Sequence, residues 1–277
     1  MPAAQESPES DGTAELYDLS NIILCEVWDE NFHHGYWLSD DDESSNRVAT
    51  DRLTDLLIAK SGLDAGGRVL DVGCGIGLSA FRLADATPAH VVGISNNQAQ
   101  IDEANRRAAA KGLADRVGFE FADVLALPYP DDSFDVAWVF ESLMHMDRVR
   151  TLKELGRVLR PGGRVVITDQ LQTARASDAD QAVIDDLMRT MQASTLLFAD
   201  GYQAMLATTG LELVEFLDIS RNTKKTPRRV IDGTNAKFDE LVERFGESVI
   251  PMLEMFRDPT GLMPEIGYLL AVVRKSD

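Results

Sequence analysis

This sequence predicts an α/β fold, with a parallel sheet covered on both faces, and three observations carry it. Five short apolar runs between Arg68 and Thr168 alternate with segments of helical periodicity. A glycine-rich turn, Gly73-Cys74-Gly75-Ile76-Gly77, follows the first run at once. Acids or a hydroxyl stand where the runs end, at Asp71, Ser95, Asp123, Glu141 and Asp169. In an open parallel sheet that carboxyl edge is where ligands bind.

The elements follow in order. Met1 to Thr13 is acidic and rich in Ala, Glu, Ser and Pro, without the basic and apolar regions of a signal peptide, so residues 1–13 read as a disordered tail. Residues 14–60 read as an amino-terminal helical lid segment. It holds an amphipathic helix over Tyr17–Trp28 and the aromatic loop Asn31-Phe32-His33-His34-Gly35-Tyr36-Trp37. The acidic linker Asp40–Glu43 reads as a solvated loop, and Asp51 as the cap of a helix carrying Leu53, Leu56 and Leu57.

Residues 61–170 are the core. Strands are expected at Arg68–Val72, His90–Ile94, Val117–Ala122, Phe134–Val139 and Arg164–Thr168. Helices are expected from Gly77 to Ala86, Asn97 to Lys111 and Val149 to Leu159. Arg160-Pro161-Gly162-Gly163 stops the last of these. Residues 171–277 complete the sheet, with strands at Leu211–Ile219 and Tyr268–Val273. Helical lid insertions are expected at Asp178–Ala193, Gly201–Thr209 and Thr234–Phe256, the last interrupted near Gly246 and Pro251.

Composition narrows the partners. Of 277 residues, 46 are Asp or Glu and 27 Lys or Arg, a net charge of −19. Phosphate binding needs a basic face, so nucleic acid is not expected as a partner. An anionic membrane would repel such a chain, and no apolar run is long enough to span a bilayer. The only cysteines, Cys25 and Cys74, have no C-x-x-C spacing, which fits a reduced cytoplasmic protein.

Each motif has a structural and a chemical reading. Asp71 before Gly73-x-Gly75-x-Gly77 suits a ligand with cationic groups, because bare glycine backbone lets the ligand approach closely. Ser95 can bond a ribose, cap the next helix, or do both. Asp123 can accept from an adenine amine or close a turn. His145 follows strand four at the ligand edge. It is either a general base, suited by a histidine's ordinary pKa of roughly 6.5, or a cap on the next helix. Asp169 can orient His145, take the proton itself, or sit exposed at a strand end.

Of the two adjacent histidines, His33 and His34, one can face a pocket; they do not make a metal pair, and no His/Asp/Glu set has metal-ligand spacing. Tyr36 and Trp37 read as lid core with one or two contacts to ligand. Met188 and Met191 read as a helix-packing surface that can also line an apolar acceptor site. Arg221, Lys224, Lys225, Arg228 and Arg229 form the one basic cluster, read as a solvated loop or as a seat for an anionic acceptor group.

Taken together, these motifs resemble the class I S-adenosylmethionine (SAM)-dependent methyltransferases. The residues concerned are Asp71 with Gly73, Gly75 and Gly77; Gly93-Ile94-Ser95; Ala122-Asp123; Leu127-Pro128-Tyr129; Ser133-Phe134-Asp135; Glu141-Ser142-Leu143; and Leu159-Arg160-Pro161-Gly162-Gly163. The match extends forward to residues 31–37 and is similar to the rebeccamycin-type sugar O-methyltransferases of natural-product pathways, from Tyr17 to the end. The resemblance implies a Rossmann-like, seven-stranded, mostly parallel sheet with its last strand antiparallel, plus a helical lid.

The resemblance also implies roles. Asp71, Gly73 and Gly75 would line the SAM loop. Ser95 and Gln100 would face the ribose, Ala122, Asp123 and Val124 the adenine, and Tyr17, Phe140 and Glu141 would complete the cofactor site. His145 and Asp169 would be catalytic, with His33, Tyr36, Trp37, Met144, Met188 and Met191 toward the acceptor. Those sugar enzymes carry two adjacent histidines after Glu-Ser-Leu, and here the first is Met144. The activity implied is O-methylation of a sugar or polycyclic hydroxyl of a small natural product, with S-adenosylhomocysteine as by-product. Alternatives are N-methylation of an amine such as a mitomycin-type aziridine and a catalytically silent SAM-fold binding protein. A nicotinamide dehydrogenase is disfavoured by the glycine spacing and by the lack of an acid after strand two. Oligomeric state is not legible.

Overall fold

Seven strands form one sheet in the order β3-β2-β1-β4-β5-β7-β6 in a computed structural model that describes residues 23–63 and 66–276. The strands are β1 (Arg68–Val72), β2 (His90–Ser95), β3 (Val117–Phe121), β4 (Phe134–Phe140), β5 (Leu159–Gln172), β6 (Glu212–Asp218) and β7 (Ile266–Arg274). β1 to β5 are parallel neighbours, and β7 lies antiparallel between β5 and β6. The expected class and the antiparallel last strand are therefore as the sequence indicated. The chain reverses its direction of travel across the sheet between β1 and β4, and the crevice at that switch point is the ligand site of such folds.

Helices are α1 (Asn46–Ser61), α2 (Leu78–Ala86), α3 (Gln98–Ala110), α4 (Arg148–Val158), α5 (Asp178–Thr190), α6 (Ala199–Ala207), α7 (Lys225–Phe245) and α8 (Ile250–Phe256). One sheet face carries Val69, Trp138, Val166 and Leu270 against Leu53 and Leu57 of α1, Phe81 of α2 and Ile101 of α3. The other carries Leu70, Val139, Ile167 and Leu269 against Leu152 and Leu155 of α4 and Tyr202 and Leu206 of α6. Strands buried on both faces read as unbroken apolar runs, which is why they were legible.

Several expectations are corrected. Ser45, not Asp51, caps α1, its side chain accepting from Val48 N–H, and Asp51 lies inside the helix with Arg47 and Arg82 as ion partners. β5 is longer than predicted at both ends. Pro161-Gly162-Gly163 belongs to it, because Gly162 N–H donates to Lys275 O at 3.0 Å and Lys275 N–H to Gly163 O at 2.9 Å. Residues 225–245 form one helix where a basic loop was expected ahead of Thr234. Pro227 falls in its first turn, where the missing N–H has no cost. Three of its five members pair with the acidic linker: Lys224 meets Asp40 at 2.8 Å, Arg221 meets Asp40 at 3.6 Å, and Lys225 meets Glu43 at 3.6 Å. The interruption expected near Gly246 and Pro251 is present: α7 ends at Phe245, Gly246 has φ +84, and α8 starts at Ile250 with Pro251 in its first turn.

The chain divides into two units, residues 1–32 with 229–258, and residues 33–228 with 259–277. In the first, Glu26 pairs with Lys237 at 2.9 Å and Arg244 at 3.0 Å. The sheet and all candidate site residues except Tyr17 belong to the second. Tyr17 and the tail 1–13 lie outside the described residues. The division falls inside the predicted 14–60 segment, between Phe32 and His33.

Candidate active site

At the switch point the loop after β1 meets the loop after β4. Ser142 Oγ donates to Val72 O at 2.6 Å. Gly73 has φ +77, and a Cβ there would stand 2.5 Å from Ser142 Cβ, so only glycine permits the approach. Gly75 has φ +52, and a Cβ there would meet nothing within 4 Å. Open space therefore lies over the turn. Behind it Asp71 is 2 % exposed, and its Oδ2 has no hydrogen-bond partner. Burial pushes the carboxyl up to about 7. An orphaned buried carboxylate oxygen beside a bare glycine turn fits a ligand bringing positive charge, as SAM does with its sulfonium and ammonium.

The ribose and adenine candidates lie along β2 and β3. Ser95 Oγ donates to Gln100 Oε1 at 3.0 Å and accepts from Asn97 N–H at 3.1 Å. Asn97, not Ser95, caps α3, its Oδ1 taking Gln100 N–H at 3.1 Å. Ser95 and Gln100 are thus brought together as one polar pair at the end of β2. Asp123 is exposed and caps a short turn, Oδ1 accepting from Leu125 N–H at 2.9 Å; Ala122 is half-buried and Val124 buried beside it.

At the end of β4 the structure assembles a cluster that sequence reasoning did not foresee. Glu141 has φ +51, rare for a residue with a side chain and costing roughly 1–2 kcal/mol. Its Oε1 accepts from His34 N–H at 2.6 Å, from His34 Nδ1 at 3.1 Å, and from the Tyr268 hydroxyl. Burial alone would raise the Glu141 carboxyl, but His34, with His33 and Tyr268, holds it below its ordinary value. Burial pushes the Tyr268 hydroxyl far up, so it stays a donor. The pairing of Tyr268 with Glu141 depends on β7 running antiparallel beside β5, and no local sequence signal announces it.

Other acceptor-side candidates are packed rather than presented. His33 stacks on Phe140 with ring centroids 4.0 Å apart. Its Nδ1 donates to His34 O at 2.9 Å, and Nε2 accepts from Thr54 Oγ1 at 3.2 Å; this assignment of the tautomer follows the network. Burial holds its imidazole below the usual value, favouring the neutral ring. Trp37 is 1 % exposed, with Nε1 donating to Ser44 O, and is core. Tyr36 is half-buried against the α1 side of the sheet. Met144 is buried, and Met188 sits in a small apolar cluster with Ile184 and Leu196, against which Met191 packs. His33, Trp37, Met144 and Met188 are all buried in packed surroundings.

His145 is exposed at the ligand edge, its Nδ1 donating to Gln192 O at 3.3 Å. Nε2 is left as the acceptor nitrogen. Asp169 does not contact it. Asp169 lies inside β5 and is fully buried, where its Oδ1 accepts from Gln170 N–H at 2.8 Å and its Oδ2 from Tyr202 Oη at 3.0 Å. Arg148 Nε stands 3.5 Å from Oδ2. Burial pushes the Asp169 carboxyl up to about 6, against the pull of Arg148. Arg148 and Tyr202 were missed because each reads locally as an ordinary helix residue. Among the described residues no group of three or more His, Cys, Asp or Glu could hold a metal. Nor is any helix among them long and apolar enough to cross a membrane.

Comparison with known proteins agrees with this geometry. Residues 69–163 match the model of a methyltransferase domain family. The chain is 36 % identical to the methyltransferase GfsG of Streptomyces halstedii over 94 % of its own length and 93 % of that protein. It is 38 % identical to 27-O-demethylrifamycin SV methyltransferase of Amycolatopsis mediterranei, covering 94 % and 96 % of the two. Among solved structures it resembles the [4+2]-cyclase SpnF, with a TM-score of 0.83, 31 % identity and coverage of 100 % and 99 %.

Proposed function

The chain belongs to the class I SAM-dependent methyltransferases, and from that premise we propose that it methylates a hydroxyl oxygen of a small natural product. The observation that carries this reading is His145, exposed at the β4 edge with Nδ1 donating to the Gln192 carbonyl, which leaves Nε2 as the acceptor nitrogen. The name of the rifamycin relative also specifies an oxygen as its methyl acceptor. When bound, SAM supplies an electrophilic methyl on a good leaving group. Asp71, Gly73 and Gly75 hold its charged end, Ser95 and Gln100 the ribose, and Asp123 with Val124 the adenine. In this reading the acceptor side is drawn from His33, Tyr36, Trp37, Met144, Met188 and Met191.

An alcohol must lose its proton as the new C–O bond forms. In this reading His145 Nε2 takes that proton, which supplies roughly 10²–10⁴-fold. Alignment and exclusion of water by the remaining residues supply the larger part, about 7–11 kcal/mol in favourable cases. Nucleic acid and membrane are not partners in this reading. A cytoplasmic setting completes it, supported by the lack of C-x-x-C spacing at Cys25 and Cys74.

His145→Ala tests the proposal. Turnover of an alcohol acceptor is expected to fall by roughly 10²-fold or more with SAM affinity nearly unchanged. A neutral amine needs no base before attack, so a near-normal variant would point to N-methylation instead.

A further inference from the structure

The segment that follows α5 is fastened at three points to the turn carrying His145 and the start of α4. Ser194 N–H donates to Met144 O at 2.7 Å, Arg148 Nη1 donates to Thr195 O at 3.0 Å, and His145 Nδ1 donates to Gln192 O at 3.3 Å. Gln192 holds φ +53, an uncommon conformation for a residue with a side chain. Strain of this kind persists only where surrounding contacts over-determine it.

Only one of those three fastenings is backed by a buried charge. Arg148 is 9 % exposed, and its Nε and Nη2 have no hydrogen-bond partner. It is kept in place by the Asp169 carboxylate at 3.5 Å, and its guanidinium carbon lies 5.9 Å from the centre of the Tyr202 ring. Tyr202 in turn fixes Asp169 through its hydroxyl. Asp169 is thereby tied to the 192–195 segment through a single side chain, Arg148.

We infer that Arg148 and Asp169 are positioning residues. They hold the 192–195 segment so that the Gln192 carbonyl takes the His145 Nδ1 proton and leaves Nε2 as the proton acceptor. The partner of one ring nitrogen sets the tautomer of the other, so the link is chemical as well as steric. Its catalytic consequence rests on the reading of His145 as a base; the tautomer itself does not.

The test uses the full chain with labelled histidine, of which it has four. Nitrogen NMR, with His145→Ala to assign the signal, reads the tautomer. The wild type is expected to show the Nδ1–H form at His145. Arg148→Met is expected to lose that preference, and Arg148→Lys to restore part of it. Asp169→Asn, which keeps the shape and an acceptor for Tyr202, is expected to weaken it while the circular dichroism stays native.

In turnover, Arg148→Met should lower kcat roughly 10-fold or more with KM for SAM unchanged, and should add nothing in a His145→Ala background. An unchanged tautomer in both folded variants, or losses that multiply with His145→Ala, would overturn the inference. Should His145→Ala itself be near normal, the base reading fails and the tautomer measurement still decides the positioning link.

Discussion

Tyr268 donates its phenolic hydrogen to Glu141 Oε1, the same oxygen that takes the His34 backbone N–H. The bond ties β7 to the end of β4, two strands that are not neighbours in the sheet. Tyr268→Phe removes one donor and leaves the buried carboxylate with His34 alone. We expect a loss of about 1.5–3 kcal/mol by urea denaturation, the range for hydrogen bonds to charged groups. Glu141 is held below its ordinary value, so its contribution is present above the unfolded value of about 4.3 and is lost as pH falls through the folded one. A wild-type stability for Tyr268→Phe would show the bond to be idle.

Asp71 makes SAM affinity depend on pH. Its carboxyl lies at about 7 in the free protein. A cation bound beside it favours the ionised form, so binding below that value releases a proton. Affinity should therefore rise with pH toward about 7 and level off above it, and Asp71→Asn should bind weakly with a flat profile. Calorimetry in buffers of different ionisation heat reads the proton directly. Proton uptake, or a flat wild-type profile, would contradict this.

Asp169 has the opposite sign of stability linkage from Glu141. Between the unfolded value of about 3.9 and the folded value of about 6, the native state binds more protons. Its contribution is thus present at low pH and is lost as pH rises through that window, by at most about 3 kcal/mol. The stability of the wild type minus that of Asp169→Asn should fall from pH 4 to pH 6 and then stay level. A difference that rises with pH would refute the assignment.

Gly75→Val should abolish SAM binding while the protein stays folded. The site is open, so the added side chain enters the space over the turn, and the left-handed φ adds only roughly 1–2 kcal/mol of local strain. SAM calorimetry beside a thermal melt separates the two effects. Full SAM affinity in the variant would remove the turn from the cofactor site.

Activity should survive exhaustive EDTA treatment, because the described residues offer no ligand cluster. Loss of turnover that magnesium restores would reveal a cation requirement.

The sheet was legible because strands buried on both faces are continuous apolar runs, and because Asp71 and the glycine turn are local in sequence. Distances in sequence explain what was not. Tyr268 reaches Glu141 across 127 positions and Asp169 meets Tyr202 across 33. The first needs β7 in place beside β5, and the second needs the helix at residues 199–207 packed on β5. Trp37 and Met188 look alike as lid core or ligand wall, since both environments are apolar. The basic cluster before Thr234 looked like a loop because its acidic partners lie near Asp40, far upstream.

The protein is incubated with SAM carrying a labelled methyl group and with a panel of hydroxyl and amine natural products, and products are read by mass spectrometry with fragmentation. One labelled methyl is expected on an acceptor oxygen, with S-adenosylhomocysteine formed in equal amount. Label on nitrogen, or an acceptor isomerised at unchanged mass with no label, would contradict the proposed O-methylation.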